Sequence, residues 1–540
     1  MKSFKACVQT VWSLSRPVRW RVAVTMALGL VRIAVSLSFI STSKYLVDIA
    51  TGASQDPLGR AVALFLVLLV LQVGTAIFGN WWDSYNHVKT QNILRKNLFG
   101  HVMKSRWDGR ERFLSGDTVN RLEEDIRVVA ELICERIPGL VVTTAQLLAA
   151  STYLMFLAPN LLWVLVILMA AAVFGSKLFF RQLRELMSKI RARESELQQL
   201  MQESLQHRVL VLTLTNVERV LEKFGWLQED VENNTRKRLN YNAVARGLMF
   251  MGFQAGHAAA FLWSIFGLRA GTVTFGTMTA FLQLVGQVQR PIAEFGRQIP
   301  AFITAITSIE RLMELMELEQ EPLENPVRLE GAPEIRVENV TYNYPGTEEP
   351  VLKDFSCRFP AGSMTAIAGP TGIGKSTLIR LILGLLKPSA GSISISGQPA
   401  GSALRENFMY IPQGNSLLSG TIRTNLMLSA PQATEDQLEE ALDIAMAQFV
   451  WKLPKSLETP CGEVGSGLSE GQAQRIAIAR ALLRPGGVLI LDESTSALDP
   501  ETEKRLLENL HSRYHGNKTI LFISHREAVT QYADQVVHIL

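Results

Sequence analysis

Residues Gly369 to Thr377 read GPTGIGKST, and this stretch decides the fold of the second half of the 540-residue chain. Glycine, four residues, glycine, lysine and serine follow one another at the spacing of a phosphate-binding loop. The apolar run Met364 to Ala368 predicts a buried strand before the loop, and Leu378 to Leu386 predicts a helix after it. Backbone N–H groups of such a loop surround phosphate oxygens at a helix N-terminus. We therefore predict nucleotide binding, with Lys375 on the outer phosphates and Ser376 on Mg²⁺.

The composition places part of the chain in a membrane. Hydrophobic residues make up 47 %, charged residues 19 %, and the mean hydropathy is +0.14, which is too apolar for an average soluble protein. The net charge of +4 does not suggest nucleic acid, and the spacing of the four cysteines is typical of neither a metal site nor a disulfide framework. The N-terminal stretch lacks the apolar core of a cleaved signal, so we expect the first span to act as an uncleaved anchor.

Six apolar segments are long enough to cross a hydrocarbon layer of roughly 30 Å. They lie at about 22–49, 61–82, 137–157, 161–180, 243–268 and 275–300. The loops 84–136 and 181–242 are rich in Lys and Arg, whereas 50–59, 158–160 and 270–274 contain neither. The positive-inside rule then places both termini and both long loops in the cytoplasm.

The two long loops contain helix-favouring runs with little Pro or Gly, so the spans around them are expected to continue as helices beyond the membrane. Each loop turns back at a short tip, at 108–117 and at 211–216. We interpret these helices as contact surfaces rather than as solvated hairpins, because long projecting helices need a packing partner.

A charged helix over 308–320 and a linker with Pro and Glu over 321–333 separate two domains. Residues 1–320 are predicted to form the all-α transmembrane domain with its six spans and long cytoplasmic extensions. Residues 334–540 alternate strand-like and helical runs, which predicts an α/β nucleotide-binding domain with a largely parallel sheet.

Two acids follow the buried run Val488 to Leu491. Ligands of parallel sheets bind beyond the carboxyl ends of the strands, so Asp492 is expected to support Mg²⁺ and Glu493 to polarise the attacking water. A second strand, Thr519 to Ile523, leads to His525 as a contact for the γ-phosphate.

The series GPTGIGKS, YIPQ, LSEGQ, LILDE, SALD and ISH resembles the nucleotide-binding domain of ABC transporters, and the six-span region resembles the membrane domain of exporter-type members. The resemblance implies an ATPase that uses ATP and Mg²⁺, with Glu493 and His525 as catalytic residues. The implied ATP site consists of Tyr344, which stacks on adenine, Gly369, Pro370, Thr371, Gly372, Gly374, Lys375, Ser376, Thr377 and Gln413. The implied metal site consists of Ser376, Gln413 and Asp492.

The resemblance also implies that Ser469, Gly471, Gln472 and Asp499 serve the ATP bound by a second copy, because in the family these two sites meet only between two domains. The chain departs from the family at Glu470, where Gly is usual, and at Pro460, where exporters often have Glu. It ends at Leu540, where relatives usually continue, so it is either a naturally short member or one whose end has been removed.

The sixth span carries Gln283, Gln287, Arg290 and Glu294 on one helical face. This stripe either lines the path of a substrate, or Arg290 and Glu294 form an i,i+4 pair near the end of the helix. Candidate cavity residues are Arg32, Gln254, His257, Gln283, Gln287 and Arg290. The residues Gly252 and Gly256 indicate close helix packing.

These features predict an ATP-driven half-size exporter that works as a homodimer in the cell membrane, with its nucleotide-binding domain in the cytoplasm. It would export or flip a hydrophobic or amphipathic molecule, such as a lipid, drug or peptide, by alternating access. The alternatives are one subunit of a heterodimer and an ATP-gated channel or regulator. A soluble-type ATPase that acts on DNA or ribosomes shares the loop motifs but not the six spans.

Overall fold

The computed structural model describes residues 4–107, 115–214, 216–322, 324–347, 349–414, 416–461, 467–523 and 531–539. The chain divides into two compact units. The first contains residues 1–99 and 120–315, and the second contains residues 100–119 and 316–540. The segment 100–119 therefore groups with the nucleotide-binding part of the chain, which the pattern of spans did not predict.

The first half of the chain is helical, as predicted. Its helices are α1 (Phe4–Leu14), α2 (Arg19–Ala50), α3 (Leu58–Met103), α4 (Ser115–Asn120), α5 (Ile126–Glu131), α6 (Ile137–Leu157), α7 (Pro159–Lys177), α8 (Phe180–Gln206), α9 (Arg208–Thr213), α10 (Val217–Arg269) and α11 (Phe275–Met316). Wider π-helical turns at Arg121–Asp125 and Leu132–Arg136 join α4, α5 and α6. Helix α3 has 46 residues and α10 has 53, whereas a bilayer needs about 20, so the predicted helical extensions are confirmed.

Four helical stretches among the described residues are long and apolar enough to cross a membrane: Arg16–Ala50, Leu58–Met103, Asp117–Leu157 and Val217–Arg269. A fifth is available if Pro159–Gly175 and Phe180–Gln206, bent by 41°, count as one span. The predicted sixth span lies on α11, where polar side chains interrupt the apolar run. The predicted charged helix at 308–320 is not separate, because α11 continues to Met316. Six spans remain a prediction.

The glycines of α10 bring neighbouring helices close together. A Cβ atom on Gly252 would lie 2.3 Å from the Cβ of Ala172 on α7. A Cβ atom on Gly256 would lie 2.3 Å from the amide nitrogen of Gln289 on α11 and 3.1 Å from Leu165. The prediction that these glycines serve helix packing is confirmed.

The described residues of the second unit form three sheets. Its strands are β1 (Ile335–Tyr342), β2 (Leu352–Phe359), β3 (Met364–Ala368), β4 (Ala390–Ile395), β5 (Gln398–Pro399), β6 (Phe408–Ile411), β7 (Gly420–Thr421), β8 (Pro460–Cys461), β9 (Val488–Asp492), β10 (Thr519–Ile523) and β11 (Gln535–His538). The five-stranded sheet has the order β11-β3-β10-β9-β6 and is parallel, as predicted. A four-stranded antiparallel sheet, β2-β1-β4-β5, was not predicted. Strands β7 and β8 form an antiparallel pair.

Both faces of the parallel sheet are buried. The helices of this unit are α12 (Lys375–Ile382), α13 (Ile422–Met427), α14 (Glu435–Ile444), α15 (Glu470–Leu482) and α16 (Pro500–Tyr514). Alternate residues of β9 point to opposite faces, so Leu489 and Leu491 join one apolar core, whereas Val488 and Ile490 join the other. A strand that is buried on both faces reads as a continuous apolar run, which is why β9 and β10 were visible in the sequence.

Candidate functional site

The phosphate-binding loop lies between β3 and α12, as its sequence predicts. Gly369, Gly372 and Gly374 have φ angles of 154°, 86° and 112°, in the region that glycine tolerates best. A Cβ atom on Gly374 would also lie 2.9 Å from Val351. Helix α12 begins at Lys375, three residues before its predicted start, because Gly374 already makes the sharp turn into the helix.

The side chain of Lys375 is held inside this loop. Its Nζ atom donates hydrogen bonds to the carbonyl oxygens of Gly369 at 2.8 Å and Pro370 at 3.0 Å, and only 5 % of the residue is exposed. Thr371 belongs to the same turn. A nearly buried ammonium group at a helix N-terminus favours an anionic ligand, since both carry positive charge.

Ser376 and Asp492 come together at the carboxyl edge of the parallel sheet. The Ser376 hydroxyl donates to Oδ1 of Asp492 at 3.1 Å, and the Tyr410 hydroxyl donates to Oδ2 at 3.3 Å. Burial raises the pKa of Asp492, and these two donors oppose the rise because they favour the ionised carboxylate. Hydroxyl and carboxylate oxygens at this position fit a hard divalent cation such as Mg²⁺.

Glu493 follows Asp492 with a φ angle of 47°, in the left-handed region that few non-glycine residues adopt. Such backbone strain is concentrated at functional sites. The amide nitrogen of Gln413 donates to Oε2 of Glu493 at 2.7 Å, so the residues predicted from YIPQ and LILDE meet in the structure. The predicted catalytic residue His525 lies outside the described residues.

Tyr344 lies beside the phosphate loop. Its hydroxyl is 3.0 Å from Oγ1 of Thr377 on α12, and its ring packs edge-on against Tyr342 with the centroids 5.1 Å apart. These contacts hold the ring next to the loop that is predicted to bind phosphate. Its role in stacking on adenine stays a prediction.

Three of the four residues predicted to serve a partner's ATP take part in helix capping in this chain. Ser469 and Gln472 form a capping box at the start of α15, in which each side chain accepts a hydrogen bond from the other's backbone N–H. Gly471 allows close approach to Ala497, whose carbonyl oxygen would lie 2.7 Å from a Cβ atom. Asp499 caps α16, and the backbone N–H of Thr502 holds the pKa of its carboxyl below the usual range.

The two departures from the family pattern fall in different places. Glu470 is the first residue of α15 and is exposed, and an acidic group there suits the positive end of a helix. Pro460 lies in β8, while the following residues 462–466 lie outside the described part of the chain.

A cavity of about 780 Å³ lies within the first unit. Both apolar side chains and polar or charged ones line it, and the five predicted residues among them are Arg32, Gln254, His257, Gln287 and Arg290. Gln283 does not line this cavity; its amide reaches Ser43 of α2 at 3.4 Å. Gln287 bridges three helices, donating to Ser36 at 3.0 Å and accepting from Gln146 at 2.6 Å.

Sequence reasoning missed three residues that support the nucleotide site. Tyr410 contacts Asp492, and Arg380 donates from Nη1 to the Tyr344 hydroxyl at 3.3 Å. The buried Gln474 of α15 accepts from the backbone N–H of Ala497 at 3.2 Å and so attaches the loop before Asp499. Gln474 could have been found from the sequence, because it is a lone polar residue on the apolar face of α15. The contacts of Tyr410 and Arg380 depend on tertiary packing, which the sequence does not reveal.

The comparisons with known proteins cover nearly the whole chain. The family described as the ABC transporter transmembrane region matches residues 22–292, and the family described as ABC transporter matches residues 352–496. An ATP-dependent lipid A-core flippase from Vibrio cholerae is 28 % identical over 98 % of this chain and 92 % of its own length. The uncharacterized ABC transporter ATP-binding protein YknV from Bacillus subtilis is 27 % identical over 91 % of this chain and 83 % of its own.

A solved bacterial Atm1-family ABC exporter with ATP bound shares the fold. Its TM-score is 0.78 at 22 % identity, and the alignment covers 97 % of this chain and 94 % of that one. The order of a helical membrane region and a sheet-containing nucleotide-binding domain agrees in both. With one family match over half of the chain and a second over its phosphate-binding loop, this protein belongs to the ABC transporter family and is an ATP-hydrolysing membrane transporter.

Proposed function

We propose that two copies of this chain form an exporter that moves a lipid-like amphiphile across the membrane. The observation that carries this proposal is the cavity of about 780 Å³ in the first unit, because its size suits an organic ligand. Phe250 and Phe253 offer it an apolar wall, whereas Arg32, Gln287 and Arg290 offer charge and hydrogen bonds. A molecule with a polar head and an apolar body matches that lining.

The named relatives support the same class of substrate. The Vibrio cholerae relative is an ATP-dependent lipid A-core flippase, and other relatives of that name match most of this chain. Ionisable groups in a membrane segment are costly, and they usually face a cavity or a partner. The arginines of the cavity therefore favour a transport path that accepts a polar headgroup.

The apolar tip of the second long loop supports a homodimer. Helix α9 leaves Val209, Leu210 and Leu212 exposed at 78 %, 56 % and 51 %, and Leu214 after it at 62 %. A cluster of apolar side chains at a loop tip usually marks a contact surface. We propose that this tip and the helix caps Ser469 and Asp499 face the nucleotide-binding domain of a second copy in the cytoplasm.

The nucleotide-binding unit would supply the energy. Lys375 and the loop amides would bind the phosphates of ATP, and Ser376, Gln413 and Asp492 would hold Mg²⁺, which neutralises phosphate charge when bound. Glu493 would orient and polarise the attacking water, with Gln413 fixing its carboxylate. Closure on ATP and reopening after hydrolysis would then alternate access to the cavity.

The test uses purified protein in proteoliposomes that contain a fluorescent lipid. We expect ATP-dependent movement of the lipid between leaflets, stimulation of ATP hydrolysis by one class in a panel of lipids, drugs and peptides, and loss of both with Glu493→Gln. Glu501→Gln, an exposed glutamate on α16, is the matched control. If the wild type hydrolyses ATP but moves no amphiphile, export of this class is wrong; if it is inactive alone, the homodimer is wrong.

A further inference from the structure

Trp107 joins the end of α3 to the helix of the phosphate-binding loop. It lies in segment 100–119, packs against the apolar core that contains Leu378 and Ile382, and places its ring centroid 5.0 Å from the guanidinium carbon of Arg380. A guanidinium at this distance from an indole ring makes a cation–π contact. Both residues belong to the same compact unit.

Arg380 continues this contact to the tyrosine beside the loop. Its Nη1 atom donates to the Tyr344 hydroxyl at 3.3 Å, and that hydroxyl also lies 3.0 Å from Thr377. The Tyr344 ring is thus fixed at its hydroxyl end by two groups from α12. The side chains Trp107, Arg380 and Tyr344 form a continuous row.

A second attachment holds the same segment near the C-terminal end of α12. The backbone N–H of Arg106 donates to the carbonyl oxygen of Glu319 at 2.7 Å, and that of Glu321 donates to Lys104 at 3.0 Å. The carboxylate of Glu321 accepts from Nη1 of Arg405 at 2.7 Å. Arg405 in turn donates to the carbonyl oxygen of Gly384, just beyond α12, at 2.8 Å.

We propose that Arg380 is a positioning residue for the nucleotide base. It would hold the ring of Tyr344 where the base stacks. Because Trp107 follows α3 and contacts Arg380, a shift of the end of α3 would move the Tyr344 ring. The inference goes beyond the choice of transported molecule, and it rests on the proposed role of Tyr344. Movement of α3 would therefore change the affinity for ATP through the base and not through the phosphates.

The first experiment compares Arg380→Ala with the wild type by ATPase kinetics and by inhibition with inorganic tripolyphosphate, which has no base. We expect the KM for ATP to rise about three- to tenfold, kcat to stay within about twofold and the inhibition constant of tripolyphosphate to stay unchanged. Arg380→Lys keeps the cation and should restore most of the affinity. Arg505→Ala, an exposed arginine on α16, is the control.

An unchanged KM in Arg380→Ala would overturn the inference, as would an equal loss of affinity for tripolyphosphate, which would mean that the phosphate loop itself is damaged. Tyr344→Ala distinguishes the proposed stacking role of Tyr344 from the proposed positioning role of Arg380. If Tyr344→Ala leaves KM unchanged, the proposed role of the tyrosine is wrong; if it raises KM and Arg380→Ala does not, only the positioning role is wrong.

A double-mutant cycle tests the part that Trp107 plays. We expect Trp107→Ala to raise KM by about two- to threefold, and the variant without both side chains to be no worse than Arg380→Ala, because the indole acts through the guanidinium. Independent effects that multiply in the double variant would show that Trp107 does not act through Arg380.

Discussion

The two units of this chain carry their function in different ways. In the nucleotide-binding unit, short motifs place individual atoms: Lys375 inside the loop, Ser376 against Asp492, and Gln413 against Glu493. In the membrane unit, long apolar helices enclose a cavity whose polar residues come from distant parts of the sequence. The nucleotide-binding unit is specified residue by residue, whereas the membrane unit is specified by composition and helix packing.

This difference has a physical origin. Phosphate chemistry requires a cation and N–H donors within a few ångströms of one anion, so the spacing of glycines and lysine along the chain is constrained. A cavity for an amphiphile needs only suitable volume and a mixed lining, which many sequences provide. Substitutions of the residues that face the bound phosphates should therefore have large effects in the nucleotide-binding unit, whereas substitutions in the cavity lining of the membrane unit should have graded effects.

The largest effect is expected for Lys375→Ala. Removal of the ammonium group from the loop should lower ATP hydrolysis by about 100-fold or more, since that charge is proposed to bind the phosphates. Steady-state ATPase activity and binding of a fluorescent ATP analogue would measure it. Lys387→Ala, an exposed lysine soon after α12, is the control, and a comparable loss there would contradict a specific role for Lys375.

The second-largest effect is expected for a substitution that disturbs the packing of the membrane helices. Gly252→Val would place new atoms against Ala172. Overpacking of a close-packed contact lowers the free energy of unfolding by about 1–3 kcal/mol. We expect the melting temperature in detergent to fall by several degrees. Gly247→Val lies on the same helix, where a Cβ atom meets nothing within 4 Å. Equal shifts in both variants would mean that the effect comes from helix propensity and not from packing.

The cavity should show the graded response that its loose specification implies. With Arg32→Gln, we expect the concentration of amphiphile for half-maximal stimulation of ATPase activity to rise about three- to tenfold, because one cationic contact is lost. Basal ATPase activity should change less than twofold. Arg60→Gln, at the start of α3 and outside the cavity lining, is the control. A fall in basal activity without a change in the stimulating concentration would place Arg32 in the coupling of the units instead.

The same contrast explains how much the sequence could predict. Strands β3 and β10 have the predicted bounds, because each is an apolar run buried on both faces and followed by polar residues. The pairs Ser376–Asp492 and Gln413–Glu493 follow from motifs that share the carboxyl edge of one sheet. The antiparallel sheet was missed because its half-exposed strands β2 and β4 show no comparable apolar run.

Tertiary contacts account for the remaining errors. Gln283 lies on the predicted polar face of α11 but reaches Ser43, because helical periodicity gives a face and not the neighbour that covers it. Segment 100–119 groups with the second unit because the backbone of Lys104 and Arg106 bonds to residues more than 200 positions away, which no local pattern reveals. Arg380 was missed for the same reason.

The smallest effect is expected for Tyr410→Phe, and it tests how finely the nucleotide-binding unit is specified. Burial raises the pKa of the Tyr410 phenol, so the group stays a neutral donor to Asp492 over the working range of pH. Burial also raises the pKa of Asp492, and loss of this donor should raise it further. A larger fraction of Asp492 is then protonated as the pH falls, and a protonated carboxyl is a poor ligand for Mg²⁺.

We therefore expect the Mg²⁺ concentration for half-maximal ATPase activity to rise about twofold in Tyr410→Phe at pH 6 and to approach that of the wild type at pH 8, because a higher pH ionises a larger fraction of Asp492 in both proteins. Tyr532→Phe removes a similar hydroxyl from the exposed carboxylate of Glu508 and is the control. An equal rise at both pH values would show that the hydroxyl acts through packing. A rise confined to the lower pH would mean that the hydrogen bond from Tyr410 tunes the protonation of Asp492.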